Sequence, residues 1–455
     1  MKAMLVVALV ATPTLARADD PKIPAEKYVL PNGLEVILAP DPAVPIVAVN
    51  VWYHVGSGYE VPGRSGFAHL FEHLMFQGTK NTGPDAHFKV LRKTGATQIN
   101  GTTNTDRTNY FEVVPSNQLE TALWLESERM GHLLGALDTG QMANQIDVVR
   151  NERRQNYDNR PYSKARWAMY AALYPEGHPY RYQTIGKHED IECASVDDVV
   201  KFFKTWYVPA NATLAIVGDF DVPATKALIE KWFGSFPASH KPKVVPIAAP
   251  EVPVQEITVD DSFAKLRQIT FAWSSPANFG DGDAELDFVA DALAKEGTGR
   301  LYKTLVYDKQ LAQSVRARQG GMQFSGIFQI EVTLRSGADL LEVKKAVLEE
   351  VERLAKEPLG AKEMAREVAE REAEQIYALE DLNARANILQ AYNHYLGDPD
   401  RLSFDLDRYR KTTPEKIRAT VARVLDPAHA VIVITNPSTE AKEPPAAPAK
   451  CGGAR

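Results

Sequence analysis

Three stretches of this 455-residue chain recur in the same order, on the order of 200 residues apart. VNVWYHVGS in the first half is matched by ITFAWSSPA in the second, and NYFEVVPSNQLETALWLESERM by FQIEVTLRSGADLLEVKKAVLEEVERL. SVDDVVKFFKTWYVPANATLAIVGDF is matched by TPEKIRATVARVLDPAHAVIVITNP, down to the Pro-Ala pair ahead of a β-branched run. A repeat this long is a domain rather than a solenoid unit. The chain is therefore expected to be α+β, with two homologous domains, each a mostly antiparallel sheet with helices packed on one face.

Local signals place the elements. LPNGLEVIL sets Asn32-Gly33 between apolar runs, a hairpin signal, and IVAVNVWYHV is β-branched and aromatic enough for a central strand. Helices are expected near 65–77, 117–134 and 140–157, with strands near 98–104 and 109–114. FPASHKPKVVPIAAPEVPVQ is Pro/Lys-rich without an apolar period and reads as a linker. This gives an N-terminal domain at 24–235, a linker at 236–256 and a C-terminal domain at 257–437.

The termini read differently. Lys2, the apolar run Met4–Leu15 and Ala16-Arg17-Ala18 predict a signal peptide over 1–18, hence export to the periplasm. The Pro/Ala/Gly-rich tail 438–455 is expected to be disordered. It carries Cys451, one of two cysteines; a mobile tail makes pairing with Cys193 a poor expectation, and neither has metal-type spacing. A net charge of −7 gives no footing for nucleic acid or an anionic membrane.

GFAHLFEHLMFQGT, residues 66–79, carries the chemistry. On a helix His69 and His73 lie one turn apart on one face, with Glu72 beside them. Two imidazoles so placed suit Zn2+, which accepts nitrogen at about 2.0–2.1 Å and imposes no geometry of its own. Glu72, near the ion but not bound to it, is placed to take a proton from water as general base. The corresponding helix of the second half, AELDFVADALAKEGTG, keeps the apolar face without histidine, so the fold does not require His69 and His73. Spacing leaves the third ligand open among Glu126, Glu128, Asp147 and Glu152. His54 and His178 read as structural.

H-x-x-E-H is the inverted zincin motif. With LPNGLEVIL, VWYHVGSGYE, NGTTNTDRTNYFEVVP, VVRNERRQNYDNRPY and PANATLAIVGDF, the chain resembles the pitrilysin and insulinase family of zinc peptidases, which includes the mitochondrial processing peptidase. The resemblance implies Zn2+ held by His69, His73 and Glu152. At the position where many members carry a second Glu, this chain has Gln145. It implies that peptide substrate adds as a strand along Ile99, Asn100, Gly101 and Thr102. It also implies an Arg/Tyr pair in the second domain that clamps substrate; aligned through QLAQSV, those positions are Val306 and Gln313, with Arg300, Tyr302 and Tyr307 out of register. The expected protein is thus the zinc-bearing subunit of a heterodimer whose homologous partner supplies the clamp. A scaffold subunit of the same fold is the alternative.

Overall fold

A computed structural model describes residues 20–248 and 250–439. The expected signal peptide lies outside the described residues, as does nearly all of the tail. No helix among the described residues is long and apolar enough to cross a membrane. Cys193 is disulfide-bonded; Cys451, with which pairing was a poor expectation, lies outside the described residues.

Among the described residues, eleven strands form two sheets. The first contains β1 (Glu26–Val29), β2 (Glu35–Pro40), β3 (Ile46–Tyr53), β4 (Thr97–Thr103), β5 (Thr108–Pro115) and β6 (Ala212–Gly218), in the order β1-β2-β6-β3-β5-β4. The second contains β7 (Gln255–Asp261), β8 (Gln268–Ser275), β9 (Ala312–Gly321), β10 (Gly326–Leu334) and β11 (Val431–Pro437), in the order β7-β11-β8-β10-β9. Only β2–β6 and β7–β11 are parallel. Without β1, the two orders superimpose strand for strand, as the repeat requires. The Asn32-Gly33 turn joins β1 to β2, with Gly33 at φ 97°, a conformation that glycine adopts freely.

Each half lays its own helices on one face of its sheet. The opposite faces are too apolar to meet water: in β3 every residue after Ile46 is buried. Each is covered by a helix from the other half. Leu382–Leu396 crosses the first sheet, packing Leu382, Ala386 and Leu389 on Ile37, Ala48 and Val217. Ser163–Leu173 crosses the second, packing Met169 and Leu173 on Ala272, Val431 and Val433. Neither half closes its core alone.

Buried polar groups fix the register of the Leu382–Leu396 helix. Asn50 donates to Asn383 at 3.0 Å, and Gln390 donates to the Asn50 and Thr213 carbonyls at 2.9 and 2.8 Å. His394 Nδ1 lies 2.7 Å from His54 Nδ1 with the rings stacked, and His54 Nε2 lies 2.8 Å from Thr213 Oγ1. One Nδ1 must donate and the other accept, so at least the accepting ring must be neutral. Burial lowers both pKa values, His394 to about 3, with Lys241 and Arg107 adding repulsion. The folded state therefore binds fewer protons than the unfolded one, whose imidazoles titrate near 6.5. Stability is full above about pH 6.5 and falls as pH drops toward 3, by on the order of a few kcal/mol. Urea midpoints measured across that window should fall with acidification, and His394→Gln should flatten the slope; an unaltered slope would exclude the pair as its source.

Candidate metal centre

The helix Phe67–Leu74 buries Phe67, Leu70, Phe71 and Leu74, which turns His69, Glu72 and His73 toward the half-open side. It starts two residues later than expected because Gly66 takes φ 88° and the Ser65 hydroxyl is taken up by Asp190. Glu60 caps it from outside, accepting from the Gly66 and Ala68 amides at 2.8 Å each.

Glu152 comes from the helix Thr139–Arg153, which passes into a π-helical turn at Arg154–Asp158, a distortion frequent at functional sites. A segment absent from the sequence reading braces both helices. Asp190 accepts from Ser65 N and Oγ at 3.0 and 2.5 Å, Arg153 donates to the Gly186 carbonyl, and His188 lies 2.8 Å from Asp158. A Cβ on Gly186 would meet the Ser65 carbonyl at 2.4 Å, so the loop approaches that helix as glycine alone permits.

The three side chains meet. Glu152 Oε2 lies 3.7 Å from His69 Nε2 and 3.3 Å from His73 Nε2, and the imidazole rings are edge-to-face at 4.8 Å. Two bonds of about 2.0–2.1 Å at a tetrahedral angle separate their donors by roughly 3.3 Å, so the residues fit a zinc ion. Burial, then the neighbouring His73, lowers the His69 pKa to about 4, and the hydrogen bond with His73 holds Glu152 below the usual carboxylate range. A neutral imidazole beside an ionised carboxylate is the protonation state that metal binding needs.

Glu72 stands outside this triad. Its Oε2 accepts from Thr103 Oγ1 at 2.6 Å, and burial raises its pKa despite that bond. It also adjoins β4: a Cβ on Gly101 would sit 3.0 Å from Glu72 Cγ. Ile99, Asn100, Gly101 and Thr102 therefore run beside Glu72 on the outermost strand of the sheet, with β5 as the one neighbouring strand among the described residues. Gln98, at φ 52°, breaks the register there. Arg107 donates to the Thr102 carbonyl at 2.8 Å and steadies the strand.

The other sequence candidates lie elsewhere. Asp147 is exposed and pairs with Arg150 at 3.3 Å. Glu128 accepts from Thr79 and Asn81. Gln145 is buried two turns before Glu152 on the same helix. Val306 is half-buried against the C-terminal core, whereas Gln313 is exposed on β9. Arg300 is engaged by Glu363 at 2.8 Å. His178 stacks on Tyr174, and its Nδ1 accepts from Tyr180 N at 3.1 Å.

Glu126 belongs to a second cluster, with His87 and Glu112, whose donor atoms also lie within 4.8 Å of one another. Here the cation is already present: Arg129 Nη2 lies 3.0 Å from Glu126 Oε1 and also touches His87. Burial, then the neighbouring Glu126, pushes the Glu112 carboxyl well up. Glu112→Gln should shift stability by less than about 1 kcal/mol. Arg129→Leu, which strands Glu126, should cost about 3–5 kcal/mol in denaturant titrations. Equal effects would mean that both carboxyls are ionised.

Zinc protease PqqE of Helicobacter pylori is 27% identical over 372 residues, 81% of this chain and 83% of that protein. The crystal structure of a protease from Helicobacter pylori superimposes with a TM-score of 0.85 at 25% identity, covering 92% of this chain and all of that one. The periplasmic protease PqqL from Escherichia coli superimposes at 0.77 with 17% identity, covering 92% of this chain but 48% of that chain. The model of the insulinase family, peptidase family M16, matches residues 35–180, and that of the peptidase M16 inactive domain matches residues 194–370. With the matches lying in tandem across both sheets, this chain belongs to the M16 (insulinase) family of peptidases.

Proposed function

We propose that the protein is a zinc endopeptidase acting on extended or unfolded peptides, with His69, His73 and Glu152 as ligands and Glu72 as general base. The observation that carries this is the meeting of two helix-borne imidazoles and one remote carboxylate beside an open strand edge. Zinc bound there would supply Lewis acidity, bringing the pKa of water toward about 7. The chain's own residues do the rest. The β4 edge holds the peptide backbone by main-chain hydrogen bonds, which tolerates varied side chains. Glu72, kept proton-hungry by burial and aligned by Thr103, takes the water's proton and returns it to the leaving amine. The names of the relatives support zinc, and the signal peptide expected from the sequence, together with PqqL's periplasmic description, supports a periplasmic location.

Val306 and Gln313 support the finer reading of a zinc-bearing subunit completed by a homologous partner. This chain matches nearly all of the first half of PqqL, which continues for about as long again. Donors aimed at developing oxyanion charge are worth about 10²–10³ in turnover. Hydrolysis of an unstructured peptide should be lost on chelation and restored by zinc. It should rise by about that factor when a homologue carrying the Arg/Tyr pair is added. Full activity of the isolated chain would remove the partner; no zinc-dependent cleavage in either case would favour the scaffold role.

A further inference from the structure

The crossing face of the second sheet is wider than the one helix that covers it. Cross-strand register sets Ala272, Gln329 and Arg318 in one row and Thr270, Glu331 and Arg316 in the next, all on that face. Helix Ser163–Leu173 packs on the apolar side, around Ala272, Val431 and Val433. Toward the β9 edge the face stays open beneath two adjoining cavities of ≈ 460 and ≈ 590 Å³, which share Arg166, Arg316, Gln313 and Glu331.

The charge there is one-sided. The smaller cavity is walled by the guanidiniums of Arg160, Arg166 and Arg316 against the single carboxylate of Glu331. The larger adds Arg318 and Lys295 against Asp291 and Glu296; Lys295 is paired with Glu370, and Asp291 with Arg371 at 3.2 Å. No ion pair joins Arg160, Arg166, Arg316 or Arg318 to a carboxylate among the described residues, although Arg316 stands opposite Glu331 in the ladder. Exposed arginines clustered without carboxylate partners repel one another, and their planar forks suit bidentate carboxylate binding. The trough also opens beside the metal centre: Asn156 lines the smaller cavity and reaches Glu152 Oε1 at 3.5 Å.

We propose that this trough is a subsite for acidic peptide segments, in which Arg166 and Arg316 receive Asp, Glu or terminal carboxylates of a peptide whose scissile bond lies by Glu72. The inference rests on the peptidase reading for its role in turnover, but binding alone reads it out. Fluorescence anisotropy of an unstructured Asp/Glu-rich peptide and its Asn/Gln twin would be compared on the full chain, with and without chelator. The acidic peptide should bind at least about tenfold tighter at low salt, with the difference shrinking as salt rises. Arg166→Gln/Arg316→Gln should bring the two peptides within about twofold, while the Arg→Lys pair, which keeps the charge but loses the bidentate fork, should retain only part of the preference. The twin's affinity should stay unchanged in both variants, which shows that the fold is intact. Equal affinities in the wild type, or a preference that survives the Gln variant, would overturn the subsite. Acidic selectivity without cleavage, with or without the homologue that carries the Arg/Tyr pair, would leave it standing and remove the peptidase reading instead.

Discussion

Glu72→Gln is expected to lower hydrolysis by about 10²–10⁴-fold while zinc content stays at the wild-type level. The amide keeps the shape of the carboxyl and can still accept from Thr103, so its packing beside Gly101 is preserved. It cannot take a proton. Because Glu72 lies outside the three-residue donor cluster, the ion's hold does not depend on it. Elemental analysis alongside kcat separates the two roles: joint loss of zinc and turnover would make Glu72 a ligand, and unchanged turnover would remove it from the chemistry.

The second large effect is on the metal itself. Glu152→Ala should weaken zinc binding by more than about 100-fold, beyond what losing an outer-shell partner costs, and abolish cleavage at stoichiometric zinc. Glu152 Oε2 is the atom that faces both imidazoles, at 3.3 and 3.7 Å, so its loss leaves two neutral nitrogens with no compensating anion. Because Glu152 is half-exposed, the variant should fold normally. Competition with a chromophoric chelator reads the affinity directly, and wild-type zinc affinity in the variant would sink the ligand assignment.

Much of the site was legible in the chain because its parts are local. His69, Glu72 and His73 share one helix, and helical periodicity alone sets them on one side. The strand from Ile99 to Thr102 was legible for the same reason, although its place beside Glu72 was not. Glu152 is 79 residues from His73, and neither spacing nor periodicity distinguished it from Asp147, Glu126 or Glu128; the family resemblance alone singled it out. Glu60, Gly186 and Asp190 were missed entirely. VGSGYEVPGRSG and QTIGKHED carry only a glycine-rich hint of loops, and a carboxylate that caps a helix six residues downstream looks like any surface acid.

The duplicated order of elements by itself determined two α+β units and withheld the histidines from the second. That follows from local physics, because period-2 and period-3.6 patterns are written residue by residue. Only the tertiary structure decided that each sheet borrows a helix from the opposite half. The apolar back of β3 states that it must be covered, not by what, and Leu382 lies more than three hundred residues away. The same packing decided which face of the second sheet stayed open and gathered Arg166 and Arg316, from different halves, along one trough. Burial demands a partner, but which partner is a global choice, fixed when the whole chain closes its cores together.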